Sequence, residues 1–155
     1  MKMYLVYSVI AMLFIFGCSN TKEENKIETH VPKKHLDKKV SIAGLEWYTD
    51  VDSGFNRAQK EHKNVIIMVG EDSCRWCTKM KEGTLTDERI QKVLKDYILV
   101  SIKRSDKEAV KVVPEFDGNI PSFFFMNEKK ETIEPVVGYF NADDFLTYIK
   151  EIGES

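Results

Sequence analysis

Cysteine is scarce in this chain, with three in 155 residues. That is too few for a disulfide scaffold and too few for a four-cysteine zinc site. The odd count leaves one cysteine to be explained apart from the other two. Net charge is nearly absent, with 23 basic against 25 acidic side chains. A basic footprint for a phosphate backbone is therefore missing, and no nucleic-acid partner is expected. The one long apolar run, residues 3–16, falls short of the roughly 20 residues that a spanning helix needs. That excludes a multi-span membrane protein. What remains is a soluble, globular composition, 43% hydrophobic and 31% charged, which excludes a collagen-like or wholly disordered chain. The length is that of one domain.

The short apolar run reads as an address. Lys2 gives it a positive start and Ser8 is its one polar break, which suits the apolar region of a secretory signal. It closes on Ile15-Phe16-Gly17-Cys18, which resembles the lipobox of bacterial lipoproteins, although Phe16 is bulky for its place. The resemblance implies a signal peptide over residues 1–17, cleavage before Cys18, and a lipid on the Cys18 sulfur. Lipidation would also account for the odd cysteine. An uncleaved anchor or a plain signal cut elsewhere is the other reading. Residues 18–43 follow as a lipidated N-terminus and flexible tether, rich in Lys and Glu and without a helical or strand period. His30 and His35 in this arm read as bystanders. Lys33, Lys34, Lys38 and Lys39 offer at most a basic contact to anionic lipid.

The signals change at Gly44, where the globular domain, residues 44–155, is expected to begin. Asp52 or Ser53 is placed to cap a helix through Lys63, with Phe55, Ala58 and a partly buried His62 on one stripe. Residues 65–69 are a continuous apolar run, the pattern of a strand buried on both faces. A turn at 70–73 leads to a helix over 74–82. Thr86 is expected to cap the next helix, whose apolar face is Ile90, Val93 and Leu94. Residues 97–103 read as a strand, 107–112 as a short helix, and 122–126 and 132–137 as a hairpin. Asn141 caps a final helix through Ile152, with Phe145, Tyr148, Ile149 and Ile152 at helical spacing and Gly153 as its stop. Strands alternating with helices and ending in a hairpin predict an α/β fold, a central mixed β-sheet flanked by helices.

The sharpest motif is Cys74-Arg75-Trp76-Cys77. Two cysteines at this spacing close a small disulfide or share a metal. They follow a buried strand and open a helix, where free backbone N–H groups and the positive end of the dipole favour a thiolate. Cys74 is therefore the expected nucleophile, with Arg75 adding positive potential. Cys77, one turn further in, is placed to resolve a mixed disulfide. A structural disulfide and half of a zinc or copper site stay open on these residues alone. His62 is the one histidine in the body, and no second ligand pair is present.

At this point the chain resembles the thioredoxin-like superfamily. The strand at 65–69, the Cys74–Cys77 helix, the strand near 97–103, Ile120-Pro121 before the strand at 122–126, and the closing strand and helix fall in that family's order. Trp47-Tyr48 and the stretch from Glu71 to Met80 look most like periplasmic and lipoprotein members related to the C-terminal domain of the thiol:disulfide interchange transporter. The resemblance implies that Pro121 is cis and packs against the cysteine pair. It implies too that Ile120 offers its backbone to a substrate chain, and Trp76 is expected to shape the same surface. There is one departure. Thioredoxins proper carry a buried aspartate six residues before the first cysteine, and here that position is Met68. Glu71 and Asp72 are the nearest acids, expected at the rim.

The resemblance implies a thiol–disulfide oxidoreductase anchored to the bacterial cell envelope through Cys18 and facing the periplasm or cell exterior. It would act on protein or peptide thiols and disulfides, need no cofactor and no metal, and work in the reducing direction. In an oxidising compartment it would then need a membrane electron-transfer partner. The alternatives are a copper or apo-cytochrome thiol-handling module, and a non-catalytic peptide-binding domain with a structural disulfide.

Overall fold

The computed structural model describes residues 38–154. The expected signal, Cys18, and the arm with Lys33, Lys34, His30 and His35 lie outside them. Strands β1 (Lys39–Ile42), β2 (Leu45–Tyr48), β3 (Val65–Gly70), β4 (Ile98–Lys103), β5 (Ser122–Met126) and β6 (Thr132–Val137) form one sheet in the order β1-β2-β4-β3-β5-β6. The β2–β4 and β3–β4 pairs are parallel and the other three are antiparallel. Helices α1 (Val51–Glu61), α2 (Arg75–Glu82), α3 (Glu88–Leu94), α4 (Lys107–Val110) and α5 (Ala142–Gly153) complete the fold. The expected mixed sheet flanked by helices is present. Among the described residues no helix is long and apolar enough to cross a membrane.

The apolar runs explain the layering. Every residue of β3 and β5 is buried, as sheet strands covered on both faces must be. Alternation then sorts the side chains. Ile66, Met68, Phe123 and Phe125 face one core with Met80, Leu85, Ile90, Leu94, Phe145 and Ile149. Val65, Ile67, Val69, Phe124 and Met126 face the other with Phe55, Ala58 and Val100.

The body begins earlier than the sequence suggested. Residues 39–43, expected as the end of the tether, form β1 and half of a tight turn. Ala43 and Gly44 both take positive φ, 53° and 79°, as the two central residues of the favoured hairpin turn do. Gln91 of α3 donates its side-chain N–H to the Ala43 carbonyl and holds the turn.

Helix ends differ for local reasons. Asp50 caps α1, its carboxylate accepting from Ser53 N–H at 2.7 Å, where Asp52 or Ser53 was expected. His62 is exposed at the left-handed C-cap of α1 (φ 52°), and is not part of the buried stripe. Thr86 ends a 3₁₀ turn over Thr84–Thr86, and Asp87 caps α3 through Arg89 N–H at 2.9 Å. The short α4 ends at Val110 rather than 112. Asn141 caps α5 as expected, through Asp144 N–H at 3.0 Å. That helix runs one residue further, through Gly153, and Tyr148 is 41% exposed while Leu146 takes a buried place.

One contact between α1 and the sheet leaves no slack. A Cβ on Gly54 would lie 2.5 Å from Val100 Cγ2, and a β-branched side chain cannot swing away. Gly54→Ala is expected to destabilise the domain by about 1–3 kcal/mol through overpacking. Adding Val100→Ala should return much of that loss, read from urea unfolding midpoints. If the two changes simply add, the close approach is not the cause.

Candidate active site

The cysteine pair sits where the central strand hands over to a helix. Strand β3 ends at Gly70, residues 71–73 turn, and Cys74 is the N-cap of α2 in an extended conformation (φ −87°, ψ 104°). Its Sγ accepts from the Cys77 N–H at 3.1 Å. A helix N-terminus leaves such N–H groups without intrahelical partners, so the same donor and the dipole would hold a Cys74 thiolate. Cys74 and Cys77 are joined as a disulfide with Cα atoms 5.2 Å apart. Cys74 is partly exposed and Cys77 is 1% exposed. A substrate can therefore reach the first sulfur and not the second.

The cis Ile120–Pro121 peptide stands opposite. The Ile120 carbonyl oxygen lies 3.9 Å from Cys74 Sγ, although 46 residues separate them. Pro121 is buried, and its carbonyl accepts from Gly138 N–H at 2.8 Å. Ser122 Oγ donates to the Asn119 carbonyl at 2.7 Å. Among the described residues, neither backbone group of Ile120 pairs with another backbone group. Cys74, Cys77, Ile120 and Pro121 are thus brought together.

Trp76 points outward, 50% exposed. Its ring meets Tyr139 with centroids 5.3 Å apart. Lys79 Nζ lies 5.1 Å from the Trp76 ring centre and 4.5 Å from that of Tyr139, within cation–π range. Lys79 and Tyr139 were not singled out from the sequence. Lys79 was in principle legible, since three residues after Trp76 is one helical turn. Tyr139 was not, because only the tertiary fold brings the β6–α5 connection to α2.

The acids before the pair are occupied. Glu71 accepts from Ser105 N–H at 3.1 Å, and hydrogen bonds from Ser105 hold its carboxyl below the usual range against some desolvation. Asp72 is bonded to Lys103, whose hydrogen bond and charge hold it low as well. Carboxyls kept ionised in this way are weak acceptors for the proton of a thiol. At the position of the missing aspartate, Met68 is fully buried. Among the described residues no cluster of three or more His, Cys, Asp or Glu gathers to hold a metal.

The sign of the Glu71 effect sets a pH test. A carboxyl whose pKa is lowered on folding stabilises the folded loop above its ordinary value, near 4.3, and loses that contribution as pH falls through the lower folded value. The midpoint of the pH-dependent shift of the Ser105 amide resonance should therefore lie below the ordinary carboxylate value. A midpoint at or above it would mean that the bond does not form.

A partly exposed sulfur held by a helix N-terminus and paired to a sheltered one can exchange disulfides without a cofactor, which is the chemistry of the thiol–disulfide oxidoreductases. The chain belongs to the thioredoxin-like family, whose model matches residues 46–138. Among curated relatives it is 30% identical over 115 residues to human spermatogenesis-associated protein 20, covering 68% of this chain and 14% of that protein. It is 25% identical over 150 residues to the thiol:disulfide interchange protein DsbD of Campylobacter jejuni, covering 94% of this chain and 25% of that one. Among solved structures, the oxidised C-terminal domain of Neisseria meningitidis DsbD aligns with a TM-score of 0.57 at 21% identity, over 68% of this chain and 97% of that domain. A thioredoxin of Thermus thermophilus aligns at 0.60 and 19%, over 69% of this chain and 85% of that one. At these identities the structural likeness is one of fold.

Proposed function

We propose that the protein is a thiol–disulfide oxidoreductase anchored to the cell envelope, facing out of the cytoplasm and working as a reductase. The observation that carries the exchange chemistry is the asymmetry of the pair: Cys74 partly exposed under the Cys77 N–H, Cys77 buried behind it. In the dithiol form the Cys74 thiolate attacks a substrate disulfide. One substrate sulfur leaves as thiolate and a mixed disulfide forms. Cys77 gives up its proton to solvent and attacks Cys74 Sγ, which closes the 74–77 disulfide and releases the second substrate thiol. Two electrons pass from the pair to the substrate. The Ile120 backbone, which pairs with no other backbone group among the described residues and is held by cis Pro121, would take the substrate chain alongside Cys74, and Trp76 would border it.

The envelope location rests on the lipobox-like segment ending at Cys18 and on the similarity to a thiol:disulfide interchange protein over 94% of the chain. The reducing direction rests on the resemblance to envelope proteins of that kind. It requires a dithiol electron donor in or at the membrane to recycle the pair.

The test is the reduction potential of Cys74–Cys77 in the full chain, by equilibration with glutathione or dithiothreitol. A value near or below about −200 mV is expected of a reductase. A value near about −120 mV, that of a strong oxidant, would reverse the direction. A pair that resists reduction throughout would make the disulfide structural and remove the enzyme reading.

A further inference from the structure

The two sides of Cys74 differ in charge compensation. On one side Glu71 and Asp72 are engaged by Ser105 and Lys103. On the other, α2 carries Arg75 and Lys79, both exposed and neither in an ion pair among the described residues. Of the carboxylates at the adjoining α3 and α5 starts, Arg89 engages Asp87 and Asp143 at 2.8 Å and Asn141 donates to Asp144 at 2.8 Å, and neither Glu88 of α3 nor Glu82 of α2 forms an ion pair with Arg75 or Lys79 among the described residues. Lys79 instead lies over the rings of Trp76 and Tyr139.

The aromatic surface continues beyond that pair. Phe140, next in the chain to Tyr139, meets Tyr148 of α5 with ring centres 5.0 Å apart, and Tyr148 is 41% exposed. Exposed aromatic rings of this kind favour contact with another chain, because they bury a large apolar area at low entropic cost. A ring face lined with an ammonium group accepts an apolar stem, and the ammonium accepts an anion at its end.

We propose that Trp76, Lys79 and Tyr139 form a recognition platform that selects partner proteins carrying acidic residues beside the cysteine to be exchanged. The proposal rests on the oxidoreductase reading and narrows its substrate class. A partner strand laid past Ile120 would bring its flanking side chain over the Trp76–Tyr139 rings, and a glutamate there would meet Lys79, with Arg75 adding long-range attraction. On the opposite side of Cys74 Lys103 pairs with Asp72 and the Glu71 carboxylate, bonded by the Ser105 amide, keeps its charge, so that side would not favour a glutamate.

The test uses the reduced full chain in mild detergent and two disulfide-linked peptides, identical except for Glu or Lys on either side of the cysteine. Each turnover oxidises the Cys74–Cys77 dithiol to the disulfide and yields two peptide thiols. The Glu peptide is expected to react faster by up to about fivefold, the upper end for one exposed ion pair, and the ratio should fall in 0.5 M salt. Lys79→Glu should invert the ratio, and Tyr139→Leu should bring it toward one. Reading the ratio cancels any general loss of activity or of folded protein in a variant. Equal rates in the parent chain, or a ratio unchanged by Lys79→Glu, would overturn the platform.

If neither peptide reacts, the oxidoreductase reading fails and the platform is judged by binding alone. Peptides with serine in place of cysteine are then titrated while Trp76 fluorescence is followed, with Trp76→Phe identifying its signal against buried Trp47. Tighter binding of the Glu peptide keeps the proposal, and equal binding overturns it.

Discussion

Cys74→Ser is expected to lower disulfide reduction by roughly a thousandfold or more, the scale on which loss of the nucleophile acts in covalent catalysis. A serine hydroxyl does not ionise at neutral pH, so the N–H of Cys77, 3.1 Å from the sulfur it replaces, would have no thiolate to stabilise. Cys77→Ser should behave differently. It leaves the exposed attacking sulfur in place and removes the buried one, which is 1% exposed and reachable only from Cys74. The first exchange should therefore proceed and the second stop, so that a mixed disulfide accumulates and is seen by mass spectrometry of the non-reduced protein. Equal loss in both variants with no adduct in Cys77→Ser would mean that the order of attack is wrong. Unchanged activity in Cys74→Ser would mean that the pair is structural.

The largest effect on stability is expected at Trp47. Its side chain on β2 is fully buried and packs in the core with Ile42, Ile90 and Leu94. Truncating a buried tryptophan to alanine costs about 3–5 kcal/mol, because transfer and cavity terms add. For a domain whose total stability is about 5–15 kcal/mol, Trp47→Ala should leave a substantial unfolded fraction, read from far-UV circular dichroism against urea. Trp47→Phe should cost much less. The indole N–H meets no acceptor among the described residues, and a buried donor without a partner is a cost rather than a gain. Phenylalanine would remove that donor while keeping most of the volume. Similar losses in both variants would show that the N–H makes a bond that matters.

Long or periodic signals were read correctly from the chain. The apolar run of β3, the Ser122–Met126 and Thr132–Val137 strands and the Asn141 cap all stand where expected, because each is specified by residues within a few positions. The β1–β2 hairpin was missed for the opposite reason. Four residues per strand are too few to show a period, and Lys39-Val40-Ser41-Ile42 continues a charged arm without a break. What makes it a strand is pairing with β2, which in turn lies parallel to β4 some 50 residues on. Caps at Asp50 and Asp87 were each misplaced by one to three residues, since several oxygen-bearing side chains crowd each site and the backbone turn chooses among them.

The site divides along the same line. The cysteine pair, its place at the start of a helix after a buried strand, and the absence of a carboxyl at Met68 are all legible in the chain. These are matters of neighbouring residues, and the local rules for strands, caps and dipoles act on neighbours. The family resemblance, and no local pattern, pointed to Ile120 and Pro121 beside Cys74, and it took the folded chain to reveal that Lys103 and Ser105 engage the acids at 71 and 72 and that Tyr139 lies against Trp76. Each of those contacts joins residues tens of positions apart. Such contacts form only when both faces of the sheet bury their side chains together, and no local pattern records that outcome.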